Sequence, residues 1–123
     1  MKHKIIEVKL RTSRSINWLW NKINTPKKII RIESFENAKV KKISLNNYEI
    51  RSKKYHVLLT FIPKKGVNLN FINQKDFPLT WFEIKKGSIT HGEYKMVNKK
   101  NFNKEVKWLK EHFLKELRDI VNH

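Results

Sequence analysis

The segment FNKEVKWLKEHFLKELRDI, residues 102–120, decides the fold class. Phe102, Val106, Leu109, Phe113, Leu117 and Ile120 recur at four- and three-residue spacings, which places them on one face of a helix of about 20 residues. Asn98 or Asn101 is available to cap it. A single amphipathic helix this long must bury its stripe against something, and the rest of the chain offers a sheet.

Upstream of that helix the period changes. Residues 3–11 read as a strand. Thr12 and Ser13 offer N-cap hydroxyls for a short helix in which Ile16, Leu19, Trp20 and Ile23 share a face. Pro26 ends that helix by about Asn24. From residue 28 to 97 the pattern is short and β-like. Ile29–Phe35 and Val40–Leu45 read as strands, and Asn46-Asn47 as a tight turn. Tyr48–Ile62 follows with apolar residues on both faces of its second half, which predicts a central strand. At 15 residues it is long for one strand, so a bend or bulge is expected near Lys53-Lys54. Val67, Leu69 and Phe71 alternate with Asn68 and Asn70, and Leu79–Lys85 and a weaker Ile89–Val97 complete the set.

These readings predict one α+β domain over residues 1–123. It comprises a curved, meander-like antiparallel sheet of about five to six strands, a short N-terminal helix and a long C-terminal amphipathic helix packed on the sheet. No internal repeat or linker divides it.

Composition bounds the partner. The chain carries 28 Lys and Arg against 11 Asp and Glu, a formal net charge of +17. An excess of this size is the electrostatic footprint of a polyanion binder. Of the basic residues 23 are Lys and 5 are Arg, and Ile (14) and Asn (13) are also abundant. AT-rich coding sequence gives the same bias. Lys suits backbone phosphates better than base edges, which favour the Arg fork. The expected function is therefore largely non-sequence-specific binding of DNA or RNA through phosphates.

Two Lys-bearing turns, Lys64-Lys65 and Lys85-Lys86, are separated by one intervening turn. A meander brings them to the same end of the sheet, and the opposite end is expected to be less basic. The competing reading is that these Lys residues discourage edge pairing of strands. Trp18 lies off its helix's apolar stripe beside Arg14 and Lys22. Trp108 likewise lies opposite its stripe, near Lys104 and Lys115. Such aromatics serve either base stacking or a protein interface, or form a second buried helix face. The expected contact set is thus Lys64, Lys65, Lys85, Lys86, Lys104, Trp108, Lys115, Arg14, Trp18 and Lys22.

Two alternatives remain open. One is a phage or mobile-element type of inhibitor that binds an acidic host protein or a nucleoprotein complex. The other is a small nuclease or endoribonuclease. Glu7-Val-Lys9, Glu83-Ile-Lys85, Glu93-Tyr-Lys95 and Glu105-Val-Lys107 match the acidic-x-Lys pattern of metal nucleases, but only Asp76 offers the upstream carboxylate, and the gap to Glu83 is too short for a normal hairpin. In a chain this rich in Lys, such matches are expected by chance. His56 reads as a structural residue. His91, in a turn-rich stretch beside Gly92, is a candidate general base for RNA cleavage. No His cluster has ligand spacing, so no metal or cofactor is expected, and the balance of features favours a non-enzymatic role.

There are no cysteines, which excludes disulfides and thiolate metal sites. Three glycines are too few for a P-loop or dinucleotide fingerprint. No stretch has signal-peptide or transmembrane character, so a cytoplasmic protein with no membrane partner is expected. Nothing in the sequence sets the oligomeric state.

Overall fold

A computed structural model describes residues 2–123. The strands are β1 (Lys2–Arg11), β2 (Lys39–Ser44), β3 (Asn47–Arg51), β4 (His56–Ile62), β5 (Gly66–Phe71), β6 (Leu79–Lys85) and β7 (Ser88–Val97). The helices are α1 (Ile16–Ile23), α2 (Pro26–Glu33) and α3 (Phe102–Asn122), the last entered through a 3-10 turn at Lys99–Asn101. All strands join one antiparallel sheet in the order β1-β7-β6-β5-β4-β3-β2. Strands β2 to β7 form the expected meander, and the chain's first strand closes the far edge beside β7. β7, the weakest of the strand readings, is paired with β1 along all ten residues and with β6 from Ser88 to Tyr94.

The sheet has seven strands against the expected five to six; two expected elements are formed differently, and a third correction concerns a cap. Residues 29–35 are not a strand. Thr25 accepts a hydrogen bond from the Lys28 amide and Pro26 occupies the first turn, where its fixed φ suits a helix, so the Ile-rich run winds up as α2. Ser34 ends it in the left-handed region, with φ 56°. The expected bend at residues 53–54 is a full turn that splits one strand into β3 and β4, closed by the Ser52 amide donating to the Tyr55 carbonyl. The cap of α1 is Ser15, whose hydroxyl accepts from the Trp18 amide, rather than Thr12 or Ser13; the helix ends at Asn24 as Pro26 requires. At α3, Asn98 caps the 3-10 turn.

One face of the sheet carries Val57, Leu59, Phe61, Val67, Leu69, Phe71, Phe82 and Ile89, all buried against Leu19 and Ile23 of α1, Ile29 of α2, and Leu117 and Ile120 of α3. A smaller cluster of Ile6, Val97, Leu109 and Phe113 fixes the first half of α3 over β1 and β7. Gly66 opens β5 with φ 157°, and an added Cβ would stand 2.0 Å from the Phe82 carbonyl oxygen, so β5 and β6 meet there only because the side chain is absent. No helix among the described residues is long and apolar enough to cross a membrane.

Candidate functional site

The apolar stripe of α3 is not continuous. Glu116 falls three residues after Phe113 and four before Ile120, inside the buried face rather than outside it. On β7 the inward positions read Ile89, His91, Glu93, and Glu33 is the last residue of α2. The fold brings these polar groups to the wall of a cavity of about 710 Å³ between α3 and the sheet. Its apolar wall comes from Tyr55, Phe77, Leu109 and Phe113, with Trp108 beside them. The volume lies within the range of small-molecule sites.

His91 is the fixed point. Only 1% of it is exposed. Its ring stacks on Phe82 with centroids 4.0 Å apart and leans on Phe113 at 4.3 Å. Nδ1 lies 2.9 Å from the Trp81 carbonyl oxygen, to which its N–H donates. Nε2 is thereby aimed at Glu116, whose Oε2 is 2.9 Å away, and at Glu33, whose Oε1 is 4.0 Å away. The other oxygen of Glu116 meets His112 Nε2 at 2.8 Å. Glu33 Oε1 is shut off from solvent without a hydrogen-bond partner. Gly92, next in the chain, leaves room for the Trp81 ring; a Cβ there would come within 2.4 Å of it.

Burial pushes the Glu33 carboxyl from its ordinary 4.5 up to about 8, helped by repulsion from Glu116 and opposed by His91. Burial alone would depress His91, but the Glu116 carboxylate at Nε2 and the charge of Glu33 more than offset it, and its pKa is raised. Glu93, which accepts a 3.4 Å hydrogen bond from Thr80, is also raised by burial, against the pull of Lys95. The cluster therefore holds protons at neutral pH that the same groups in water would not. It can donate or accept one at the cavity wall. Glu33, His91 and Glu116 also place three donor atoms within 4.8 Å of one another.

The ten residues singled out by sequence fall into three places. Lys64-Lys65 and Lys85-Lys86 do adjoin at one end of the sheet, where the Ile84 amide donates to the Lys65 carbonyl at 2.7 Å. The opposite end is not less basic as expected. It carries Lys53 and Lys54, tied to the 72–78 turn through Asn73, together with Lys75, because the split at residues 52–54 adds a Lys-bearing turn there. Lys104, Trp108 and Lys115 lie on the exposed side of α3; Trp108 is 63% exposed and stacks on His112 with rings 2° from parallel. Lys104 and Trp108 line the cavity as well.

Arg14, Trp18 and Lys22 are occupied structurally. Arg14 and Lys22 lie over the Trp18 ring at 4.1 and 4.8 Å, and their side chains donate to the Val121 and His123 carbonyl oxygens. α3 has no basic residue in its own last turn, and α1 supplies the cations that its C-terminus favours. Asp76 and Glu83 are not assembled as a carboxylate pair, since Asp76 precedes β6 and Glu83 sits in its far half. His56 starts β4 and pairs with Glu49 at 3.2 Å. His91 is in the middle of β7 rather than in a turn.

A seven-stranded antiparallel sheet holding one long C-terminal helix defines an α+β fold of the helix-grip type. No protein-family model matches the chain, and no curated protein matches its sequence. The chain is similar in structure to an uncharacterized protein from Bacillus thuringiensis, with a TM-score of 0.55 and 8% identity over 98% of this chain and 100% of that one. It is similar also to the Aha1 dimer protein from Colwellia psychrerythraea, with a TM-score of 0.56 and 12% identity over 96% of each chain. A Polyketide_cyc-like protein from Corynebacterium glutamicum aligns at a TM-score of 0.47 and 9% identity, over 97% of this chain and 92% of that one. At these identities the likeness is one of fold.

Proposed function

We propose that this protein binds a small molecule in the cavity between α3 and the sheet. The ligand that suits it has a flat or apolar body, to lie against Tyr55, Phe77 and Phe113, and a polar head that meets Glu33, His91 and Glu116. The observation that carries this reading is the buried cluster of Glu33, His91 and Glu116 on the wall of a cavity that also presents the rings of Tyr55, Phe77 and Phe113. A core of this size gains nothing from burying two carboxylates and an imidazole together, since desolvation and like-charge repulsion both oppose it. Groups kept at such a cost mark a functional site.

The test uses 1-aminoanthracene, a flat apolar amine whose emission rises on leaving water. One molecule is expected to bind per chain, and Leu109→Trp, which fills the cavity from the α3 side, is expected to weaken binding at least about tenfold, a loss of about 1.4 kcal/mol. Undiminished binding by a folded Leu109→Trp chain would place the dye elsewhere and remove the proposal.

A second reading is supported by charge. The adjoining Lys64, Lys65, Lys85 and Lys86, and the exposed Lys104, Lys107, Lys110 and Lys115 along α3, give phosphate-sized targets on two surfaces. DNA, RNA or an acidic partner would be held there by counterion release, independently of the cavity.

A further inference from the structure

The three donors at the cavity wall have a property that a ligand-binding pocket does not need. Neither Glu33 nor Glu116 has a Lys or Arg within 4.0 Å among the described residues, although the chain has 28 such side chains. Both carboxylates face an imidazole nitrogen instead. We propose that Glu33, Glu116 and His91 bind one divalent transition-metal ion of the zinc type.

The geometry argues for it at each donor. Zinc holds nitrogen and carboxylate oxygen at about 2.0–2.2 Å in a tetrahedron, which sets donors about 3.3 Å apart. His91 Nε2 stands 2.9 Å from Glu116 Oε2 and 4.0 Å from Glu33 Oε1, and the whole set fits within 4.8 Å. Shifts of a few tenths of an ångström to about 1.5 Å close the set around an ion. The supporting contacts are those of a ligand set. His91 donates its other ring nitrogen to the Trp81 carbonyl, fixing the tautomer that leaves Nε2 free to coordinate. His112 holds the far oxygen of Glu116. Glu33 Oε1 is buried with no hydrogen-bond partner.

Donor chemistry selects the ion. One imidazole and two carboxylates suit Zn²⁺, Co²⁺ or Mn²⁺, whereas Mg²⁺ and Ca²⁺ take sets made of oxygen. Three protein donors leave a fourth position, and the cavity is where it opens.

The experiment titrates the full chain with Co²⁺, read by its visible d–d absorption, and with Zn²⁺, read by calorimetry. One equivalent is expected to bind, with a Co²⁺ spectrum of low coordination number. Glu33→Gln and Glu116→Gln, which keep side-chain shape and remove the carboxylate donor, are each expected to weaken binding at least about tenfold while circular dichroism stays native. His91→Gln is expected to abolish the Co²⁺ spectrum. Should that variant not fold, the two Glu variants decide the matter alone. Wild-type chain that takes up no ion, or folded Glu variants that bind as tightly as wild type, would overturn the site; the second result would assign the ion to the exposed His112 or His123. Metal binding is read without any organic ligand, so it stands or falls separately from the cavity's dye binding.

Discussion

His91 and Glu33 behave as residues whose protonation is set by what surrounds them. Between its ordinary 4.5 and its folded value of about 8, Glu33 keeps in the folded chain a proton that the unfolded chain has lost. Stability from this group is complete below about pH 4.5 and drains away as pH rises toward 8. His91 is raised as well, so its contribution is present below its ordinary 6.5 and is lost above its folded value, in the same direction. Glu93, also raised, adds to the trend. With a chelator present, the unfolding midpoint is therefore expected to fall between about pH 5 and about pH 8. Glu33→Gln is expected to flatten that slope and to be the more stable chain at the alkaline end, and thermal unfolding across pH checks both. The sequence does not announce Glu33, because its position in an Ile-rich run makes it look like a strand residue. Glu116 was missed as well, although it interrupts the α3 stripe at a position spaced for burial, a signal the sequence does carry.

At the level of elements, α3 has two faces with different duties. Leu117 is fully buried among α1 and the sheet, and Trp108 projects beside the cavity. Leu117→Ala should cost about 2–5 kcal/mol in urea unfolding, from lost burial and the space it leaves. Trp108→Ala should change stability by less than about 0.5 kcal/mol while weakening dye binding. Equal destabilisation by the two would mean that Trp108 is core. The α3 stripe and the alternation in β4 and β5 were readable because burial on one face repeats with the period of the backbone. The α2 segment was not, because β-branched Ile carries a strand preference that a cap at Thr25 and a proline at the first position override.

Over the whole molecule, the charge is distributed along both rims of the sheet and the outer side of α3. The polyanion reading makes a sharp demand on this distribution. Affinity for a short single-stranded oligonucleotide should fall steeply with salt, with log affinity linear in log salt. Replacing Lys64, Lys65, Lys85 and Lys86 by Gln should reduce that slope by more than the same change at Lys53, Lys54, Lys75 and Lys99. Equal losses from the two sets would show attraction to net charge alone, and the particular Lys cluster would lose its role.

The sequence determined the α+β class, the long gripping helix and the strength of the positive field, because each follows from local period or from simple counting. It also carried the meander, since short turns leave antiparallel neighbours few other ways to pair. Tertiary structure alone decided that residues 33, 91 and 116 share one site. They come from a helix end, a strand centre and a helix face, and only the packing of α2 and α3 on the same face of the sheet makes three such distant positions converge.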